Sequence, residues 1–216
     1  MRWRAGAMMR LLLIRHGHVE GIDVPRFRGR EDVPLTALGR RQAEATARRL
    51  AGHWRIDALH TSPLQRCVET AAPIAAACGV SSSTLASLID LDYGDWQWKT
   101  HAEMRDAAPA LFERWKSAPQ LMRFPGGESL QDLVGRVADA LRELLERHAD
   151  ATVALVSHDS AIRALLLQLL NQPLSAYWSL QQQPCAISEA LLDGVHLQVL
   201  RINETAHLDA LVDAAG

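Results

Sequence analysis

Residues 10–14, RLLLI, form the first of four apolar runs of strand length, and the stretch leads directly into the polar triplet RHG. The other runs are residues 56–60 (IDALH), 84–89 and 151–156 (ATVALV), and helical patterns lie between them. Strands that alternate with helices at this spacing favour a mostly parallel sheet covered on both faces. The sequence therefore predicts a three-layer α/β/α sandwich with a mainly parallel central sheet.

The intervening helices have recognisable ends. Thr36 is predicted to cap a helix that runs through Leu50. Ser62-Pro63 resembles a helix start, with serine as the N-cap and proline at the first helical position, and this helix would reach about Cys78. Ser129 and Asp132 resemble a capping box at the start of the clearest helix in the chain.

The remaining segments are less regular or lie near the ends of the chain. Residues 90–127 contain one amphipathic helix at about 104–116, and this segment is either a cap over a site or an ordinary surface excursion. A helix is predicted at 160–170, followed by a strand pair, 186–192 and 196–202, joined by an Asp-Gly turn. We expect a flexible lead at residues 1–8 and a loose tail at the carboxyl terminus.

Composition limits the function classes. The chain has 216 residues, a formal net charge of −2 and 48% hydrophobic residues, which is consistent with one domain over 1–216 and gives no global basic field for nucleic acid. No run approaches the ~18–20 apolar residues of a membrane span. The three cysteines lack the spacing of a disulfide framework, so a cytoplasmic protein is expected.

Chemically active side chains follow each predicted strand. In open α/β sheets ligands bind beyond the carboxyl ends of the strands, so these residues should meet at one crevice. They are Arg15, His16, Gly17 and His18 after the first strand, Arg66 after the second, Asp90 and Asp92 after the third, and His158 and Asp159 after the fourth. Any one of these residues could be structural, but their coincidence at four strand ends predicts a site.

The residue types suit phosphoryl transfer. The guanidinium groups of Arg15 and Arg66 match phosphoryl oxygens, and a neutral imidazole such as that of His16 is a competent nucleophile. Gly17 lets the backbone approach closely, and His158 can donate to the equatorial oxygens in the transition state. A carboxylic acid must then protonate the leaving alkoxide.

Six segments, in order, resemble the histidine phosphatase superfamily, also called the phosphoglycerate mutase-like family. They are LLLIRHGHVE, RFRGREDVPLTALGRRQAE, HTSPLQRCVETA, LIDLDYGDWQW, FPGGESLQDLVGRV and VALVSHDSAIRALL, and they cover roughly residues 10–170. The resemblance implies the phosphoglycerate mutase-like fold, His16 as nucleophile, and Arg15, Arg66 and His158 as the phosphate pocket. It also implies no metal and no organic cofactor.

The sequence departs from the family pattern at the acid and beside the nucleophile. The usual glutamate acid is replaced by Asp90, whose carboxyl is one methylene shorter, and His18 and Val19 stand where Glu or Gln and then Thr or Ser are common. Asp159 resembles the proton donor of the family's acid phosphatase branch and is a rival for the role. Adjacent residues that leave a strand tend to point in opposite directions, so we expect Asp159 to face away and cap the next helix.

Several functions stay open. A small phosphatase is favoured by the GDWQW and PGGES segments, with a phosphoglycerate mutase as the alternative. A metal-dependent hydrolase could use His16, His18 and His158, although two arginines beside them would repel a cation. A non-catalytic phospholigand-binding protein is the third alternative.

Substrate recognition is the least determined part. Arg26, Arg28 and Arg30 could bind an acidic substrate tail or form a solvated loop. Trp96 could line a substrate pocket, as could Trp98 and Trp115, although core packing is equally compatible with their spacing. We expect a small-molecule phosphomonoester as the ligand and no nucleic acid or membrane partner; a homodimer stays open.

Overall fold

A computed structural model describes residues 8–193 and 196–212. Its central sheet has six strands in the order β3-β2-β4-β1-β5-β6. The strands are Met9–Arg15 (β1), Ala58–Thr61 (β2), Ser82–Thr84 (β3), Thr152–Ser157 (β4), Ile187–Leu192 (β5) and Leu197–Glu204 (β6). Strands β1, β2, β3 and β4 pair in parallel, and β5 and β6 are antiparallel additions. The predicted mainly parallel sheet is confirmed.

Helices cover both faces of this sheet. They are Ala37–His53 (α1), Gln65–Cys78 (α2), His101–Ala107 (α3), Pro109–Ser117 (α4), Leu130–Arg147 (α5), Asp159–Leu169 (α6) and Asp209–Val212 (α7). Buried side chains of α1 and α2 pack with Leu12 and Ile14 on one face. Those of α5 and α6 pack with Leu11 and Leu13 on the other. Alternate side chains of β1 therefore pack in hydrophobic cores on opposite faces of the sheet, and the predicted three-layer sandwich is confirmed.

Two predicted helix caps are confirmed by their hydrogen bonds. The Thr36 hydroxyl accepts the Gly39 amide at the start of α1, at 3.1 Å. Ser129 and Asp132 form the reciprocal capping box at the start of α5. These side chains bond to backbone groups only three residues away, so the local sequence is enough to specify them.

Other predicted boundaries were wrong. The third strand ends at Thr84 rather than at 89, because the chain turns through a short 3-10 helix, Ala86–Leu88. The single helix predicted at 104–116 is two helices, α3 and α4, with Pro109 starting the second. Proline cannot donate the backbone bond that a continuous helix requires.

The chain ends were only partly testable. Residues 1–7 of the predicted lead, Gly194 of the predicted hairpin turn and residues 213–216 of the predicted tail lie outside the described residues. The tail prediction was wrong for the part that is described, because Leu208 is buried beside α1 and α7 follows it. Among the described residues no helix is long and apolar enough to cross a membrane.

Candidate active site

The site lies at the carboxyl end of the parallel strands. Strand β1 ends in Arg15 and delivers His16, whose backbone amide bonds to the Ser157 carbonyl at the end of β4 at 2.9 Å. His158 follows β4, and Arg66 lies in the first turn of α2. The predicted convergence is therefore observed: the His16 and His158 rings have centroids 5.3 Å apart.

His16 is buried and held in one orientation. Its Nδ1 lies 2.8 Å from the Gly17 carbonyl oxygen, which can only accept, so the proton is on Nδ1 and the lone pair is on Nε2. Burial, and then the positive charges of Arg66 and Arg15, hold the pKa of His16 well below its usual value. A neutral ring at pH 7 with a free Nε2 has the protonation state that a nucleophile needs.

The loop around Gly17 is held against two helices. The Gly17 amide donates to the Thr70 hydroxyl of α2 at 3.0 Å. A Cβ atom at Gly17 would lie 2.6 Å from the carbonyl oxygen of Gly39 in α1, and one at Gly39 would lie 2.1 Å from the His18 carbonyl oxygen. The two glycines therefore allow α1 and the loop to touch through their backbones.

Arg66 is the most enclosed cation of the site, with no exposed surface. Its Nε donates to Nδ1 of His158 at 3.2 Å, and Nη2 donates to Oδ2 of Asp90 at 3.1 Å. Nη1 and Nη2 also donate to the carbonyl groups of Glu31 and Gly29, at 2.7 and 2.6 Å. An arginine fork has five N–H groups, so these contacts leave little free capacity, and a phosphate would compete with Asp90 for Nη2.

His158 is fully buried, and both of its ring nitrogens have partners. Since arginine always donates, Nδ1 accepts from Arg66, and Nε2 therefore carries the proton and donates to the Ser62 hydroxyl at 2.7 Å. Burial, followed by the charges of Arg66 and Arg15, lowers the pKa of His158. In this unliganded arrangement the ring donates to Ser62, and contact with a phosphate requires that bond to be exchanged.

Ser62 is a functional contact that the sequence did not reveal. The predicted N-cap role for Ser62 was wrong: α2 begins at Gln65, and its N-cap, Leu64, has no side-chain bond. The Ser62 hydroxyl instead reaches His158, 96 residues away along the chain. A capping motif was visible locally, but the long-range partner that took its hydroxyl was not.

Asp90 lies inside the site, 8% exposed. Its Oδ1 accepts the Leu91 amide at 2.9 Å and the Ser160 hydroxyl, and its Oδ2 accepts from Arg66 and lies 3.6 Å from His158 Nδ1. The shorter acid is therefore within reach of Arg66 and His158, the residues predicted to bind phosphate. The Leu91 amide, the Ser160 hydroxyl and the Arg66 guanidinium all donate to this carboxyl.

The expectation that Asp159 faces away and caps a helix was wrong. Asp159 is the first residue of α6 rather than its cap, and the cap position, His158, makes no side-chain capping bond. The Asp159 carboxylate pairs with Arg163 one turn further on, at 2.9 Å, and lines the same cavity as Asp90. Helical geometry at 159 aims the side chain differently from the strand alternation used in the prediction.

A cavity of about 160 Å³ opens beside His16. Its wall combines cations, acids and aromatic rings: Arg15, Arg28, Asp90, Asp159, Tyr93, His101, Trp115 and Trp178 are among its residues. Four of these, Asp90, Tyr93, His101 and Trp115, come from the irregular segment 90–127. That segment therefore contributes a wall of the site.

Arg28 stands out among these cations. Its Nη2 donates to the Gly21 carbonyl at 2.9 Å, and its Nε is buried without a hydrogen-bond partner among the described residues. Burial, followed by the charges of Arg15 and Arg66, lowers the pKa of Arg28 to about 10. The site thus holds three clustered guanidinium groups, and one of them is poorly satisfied by the protein.

Of the other residues predicted to contact substrate, some line the cavity and some do not. Arg26 lines the cavity, but Arg30 does not, because it pairs with Asp92 and Glu128, at 3.0 Å each. Trp96 does not line the cavity: it is 3% exposed and packs edge-on against Phe27 and Phe124. Tryptophan spacing in the sequence did not separate the buried Trp96 from Trp115 and Trp178, whose rings reach the cavity.

His18, which the metal-hydrolase alternative requires, does not join His16 and His158. His18 turns to Thr36, with Nδ1 2.9 Å from the threonine hydroxyl, and its Nε2 lies 3.6 Å from an oxygen of Asp23. In the described part of the chain, no group of three or more histidine, cysteine, aspartate or glutamate side chains has the arrangement of a metal site.

Comparison with known proteins identifies the family. The model of the histidine phosphatase superfamily (branch 1) matches residues 11–205. The chain is 33% identical to phosphoserine phosphatase 1 of Hydrogenobacter thermophilus over 93% of its own length and 95% of the relative's. Its structure resembles Bacillus stearothermophilus YhfR, with a TM-score of 0.88, 28% identity and coverage of 93% of this chain and 100% of that one.

A second solved structure shares the fold. Mycobacterial glucosyl-3-phosphoglycerate phosphatase Rv2419c matches with a TM-score of 0.84 and 26% identity, over 92% of this chain and 100% of that one. Six ordered motifs, the family model and these relatives agree, so the chain belongs to branch 1 of the histidine phosphatase superfamily.

Proposed function

We propose that this protein is a phosphomonoester hydrolase that works through a phosphohistidine at His16. The observation that carries the proposal is the neutral His16 ring, whose Nε2 is free and which lies among the guanidinium groups of Arg15, Arg28 and Arg66. An anionic phosphoryl group is attracted there by charge and meets an unprotonated nucleophile.

In the first half-reaction the Nε2 lone pair of His16 forms an N–P bond as the bond from phosphorus to the ester oxygen breaks. The electron pair of that bond goes to the leaving oxygen, which takes a proton from Asp90. Arg15 and Arg66 neutralise the phosphoryl oxygens, and His158 exchanges its Ser62 bond for a bond to phosphate.

The second half-reaction returns the enzyme to its starting state. The Asp90 carboxylate takes a proton from water as that water attacks the phosphorus, the N–P bond breaks, and its electron pair returns to Nε2 of His16. Inorganic phosphate leaves, and Asp90 is again an acid. This cycle needs no metal and no organic cofactor.

Asp90 is our proposed proton donor, and Asp159 is its rival. Asp90 Oδ2 lies 3.6 Å from His158 and contacts Arg66, both residues of the proposed phosphate pocket. Asp159 is held by Arg163, 11% exposed, further along α6. The contacts of Asp90 therefore favour it for the transfer, whereas Asp159 lines the cavity and suits contact with the rest of the substrate.

We further propose that the substrate is a small phosphorylated carboxylic acid. A cavity of about 160 Å³ holds few atoms, and Arg28 offers a buried, unpaired Nε beside the phosphate pocket. A carboxylate suits such a planar donor. The substrate names of two relatives, phosphoserine and glucosyl-3-phosphoglycerate, are both phosphorylated carboxylic acids, which supports the same class.

Location and domain organisation complete the proposal. Cys67, Cys78 and Cys185 are free thiols, which supports a reducing, cytoplasmic compartment. All six strands belong to one sheet with a hydrophobic core on each face, which supports a single domain.

Rapid quench with ³²P-labelled substrate tests the intermediate. Label should appear on His16 in a form that is labile in acid and stable in base, and His16→Asn should trap none. Activity should persist in excess EDTA. Normal turnover by His16→Asn, or loss of activity on chelation with recovery on adding zinc, would contradict the proposal.

The mutase alternative has its own test. With 3-phosphoglycerate and 2,3-bisphosphoglycerate present, we expect phosphate release rather than rapid equilibration of the two monophosphates. Fast interconversion would replace hydrolase with mutase and leave the phosphohistidine in place.

A further inference from the structure

We propose that Ser160 is a positioning residue for Asp90: its hydroxyl fixes which oxygen of that carboxyl faces the reacting phosphate. The inference rests on the proposed function, because it assigns Asp90 as proton donor. Neither the sequence motifs nor the family resemblance singled out Ser160.

The contact itself is enclosed. Ser160 is the second residue of α6 and is 2% exposed. Its hydroxyl donates to Oδ1 of Asp90 and accepts the Leu91 amide at 3.2 Å. A hydroxyl has one hydrogen to give, and this one is given to the carboxyl.

The arrangement divides the two oxygens of Asp90. Oδ1 is bound by Ser160 and by the Leu91 amide, whereas Oδ2 faces Arg66 and His158. Rotation about the last side-chain bond of aspartate is broad and roughly two-fold, so the carboxyl has little orientation of its own. The Ser160 bond supplies that orientation and keeps Oδ2 toward the phosphate pocket.

The need for this device follows from the length of Asp90. Aspartate at a position where the family commonly has glutamate carries its carboxyl one methylene further back. A misplacement of ~1 Å can cost up to about 10²-fold in rate. A hydroxyl on the adjoining helix that holds the shorter acid offsets part of that loss.

Ser157 provides a matched control. Its hydroxyl also ties the acid loop to the end of β4, by donating to the Leu88 carbonyl at 2.7 Å, and it is 1% exposed. It lies one residue before His158, as Ser160 lies two after it, but no bond joins it to the Asp90 carboxyl among the described contacts. A merely structural role for both hydroxyls would make the two alanine variants behave alike.

The experiment measures kcat/KM of Ser160→Ala and Ser157→Ala on an aryl phosphate and an alkyl phosphate. Poor leaving groups need the acid, so Ser160→Ala should lose about 10-fold or more on the alkyl phosphate and less than about 3-fold on the aryl phosphate. Ser157→Ala should lose the same factor on both. If Ser160→Ala folds poorly, Ser160→Cys takes its place in the experiment, because cysteine fills the same space with only a weak donor and should show the same loss. Ser160→Thr, which keeps a hydroxyl, should restore part of the activity on the alkyl phosphate.

Three results overturn the inference while leaving the phosphatase intact: equal losses of Ser160→Ala on both substrates, no loss, or a leaving-group-dependent loss confined to Asp159→Asn. The proposed function fails separately, when the unaltered protein forms no acid-labile phosphoenzyme.

Discussion

Arginines cluster at both ends of the central sheet, but in opposite electrostatic surroundings. At the amino end of the parallel strands, Arg10 and Arg201 pair with the buried carboxylate of Glu189, and Arg49 pairs with Glu204 at 2.9 Å. This groove measures about 840 Å³, several times the cavity beside His16.

At the carboxyl end, Arg15 and Arg28 line a cavity with Asp90 and Asp159, but these two acids pair with Arg66 and Arg163. Arg15 and Arg28 each have a buried Nε without a partner among the described residues. Paired arginines are already neutralised and hold the fold together. Unpaired, desolvated arginines are poised for an anion that the protein does not itself supply. The two cavities are therefore distinguished by how far their arginines are paired with acids. Cavity volume alone would have pointed to the groove at the amino end.

The largest effect should come from breaking the structural network. Glu189→Ala removes the buried carboxylate that Arg10 and Arg201 share, and each hydrogen bond to a charged group contributes about 1.5–3 kcal/mol. We expect a large fall in the free energy of unfolding in urea, with kcat/KM per folded molecule near that of the unaltered protein. A matching loss of kcat/KM would mean that the two ends are coupled.

Replacing Arg66, the arginine of the proposed phosphate pocket, should instead lower kcat/KM. Arg66→Gln removes a donor to the phosphoryl oxygens, and loss of one such donor typically costs about 10²–10³-fold in rate. Arg49→Gln, at the other end of the sheet, is the control and should keep kcat/KM within about two-fold. Similar losses in both variants would contradict the division.

Arg28, the third arginine near His16, should affect selectivity for substrates that carry a carboxylate. Arg28→Gln should lower kcat/KM about 10-fold for a phosphorylated carboxylic acid and leave an aryl phosphate without a carboxylate nearly unaffected, since one charged hydrogen bond is worth about 1.5–3 kcal/mol at most. Parallel kinetics on phosphoserine and phosphoethanolamine, which differ by that carboxylate, measure the effect. Equal losses on the two would assign Arg28 to phosphate binding instead.

The last prediction is a dependence of stability on pH. His16 and His158 have lowered pKa values in the folded protein, so between their folded values and the unfolded value near 6.5 only the unfolded chain takes up their protons. Stability is therefore full above about pH 6.5 and falls as the pH drops below it, by up to about 1.4 kcal/mol per pH unit for each histidine. Urea unfolding at pH 7 and pH 5.5 tests this, and His158→Gln should reduce the slope.

Sequence reasoning found the site because the strand-end rule is local: each strand delivers the residue that follows it. His16 and His158 were located in this way, whereas Arg66 lies in the first turn of α2 and Asp90 follows the short 3-10 helix after β3. The caps at Thr36 and Ser129 succeeded for the same reason, since each bond spans three residues.

Several of the failures involve partners distant in the chain. Ser62 and Ser160 were sequence neighbours of functional residues, but their hydroxyls bind side chains 96 and 70 residues away. Trp96 and Trp115 are both buried and both pack against Phe124, and only Trp115 also reaches the cavity. These contacts form only when the helices pack onto the sheet, so no local sequence pattern predicts them.

The backbone contact between Gly17 and Gly39 has a consequence for protein engineering. A side chain at either glycine would meet a carbonyl oxygen at under 3 Å, so a library that varies these positions would mostly separate α1 from the nucleophile loop. Trp178 and His101 instead lie on the cavity wall, away from this backbone contact. Directed evolution of substrate range should therefore keep both glycines fixed and randomise the aromatic wall, where new shapes can be sampled without displacing His16.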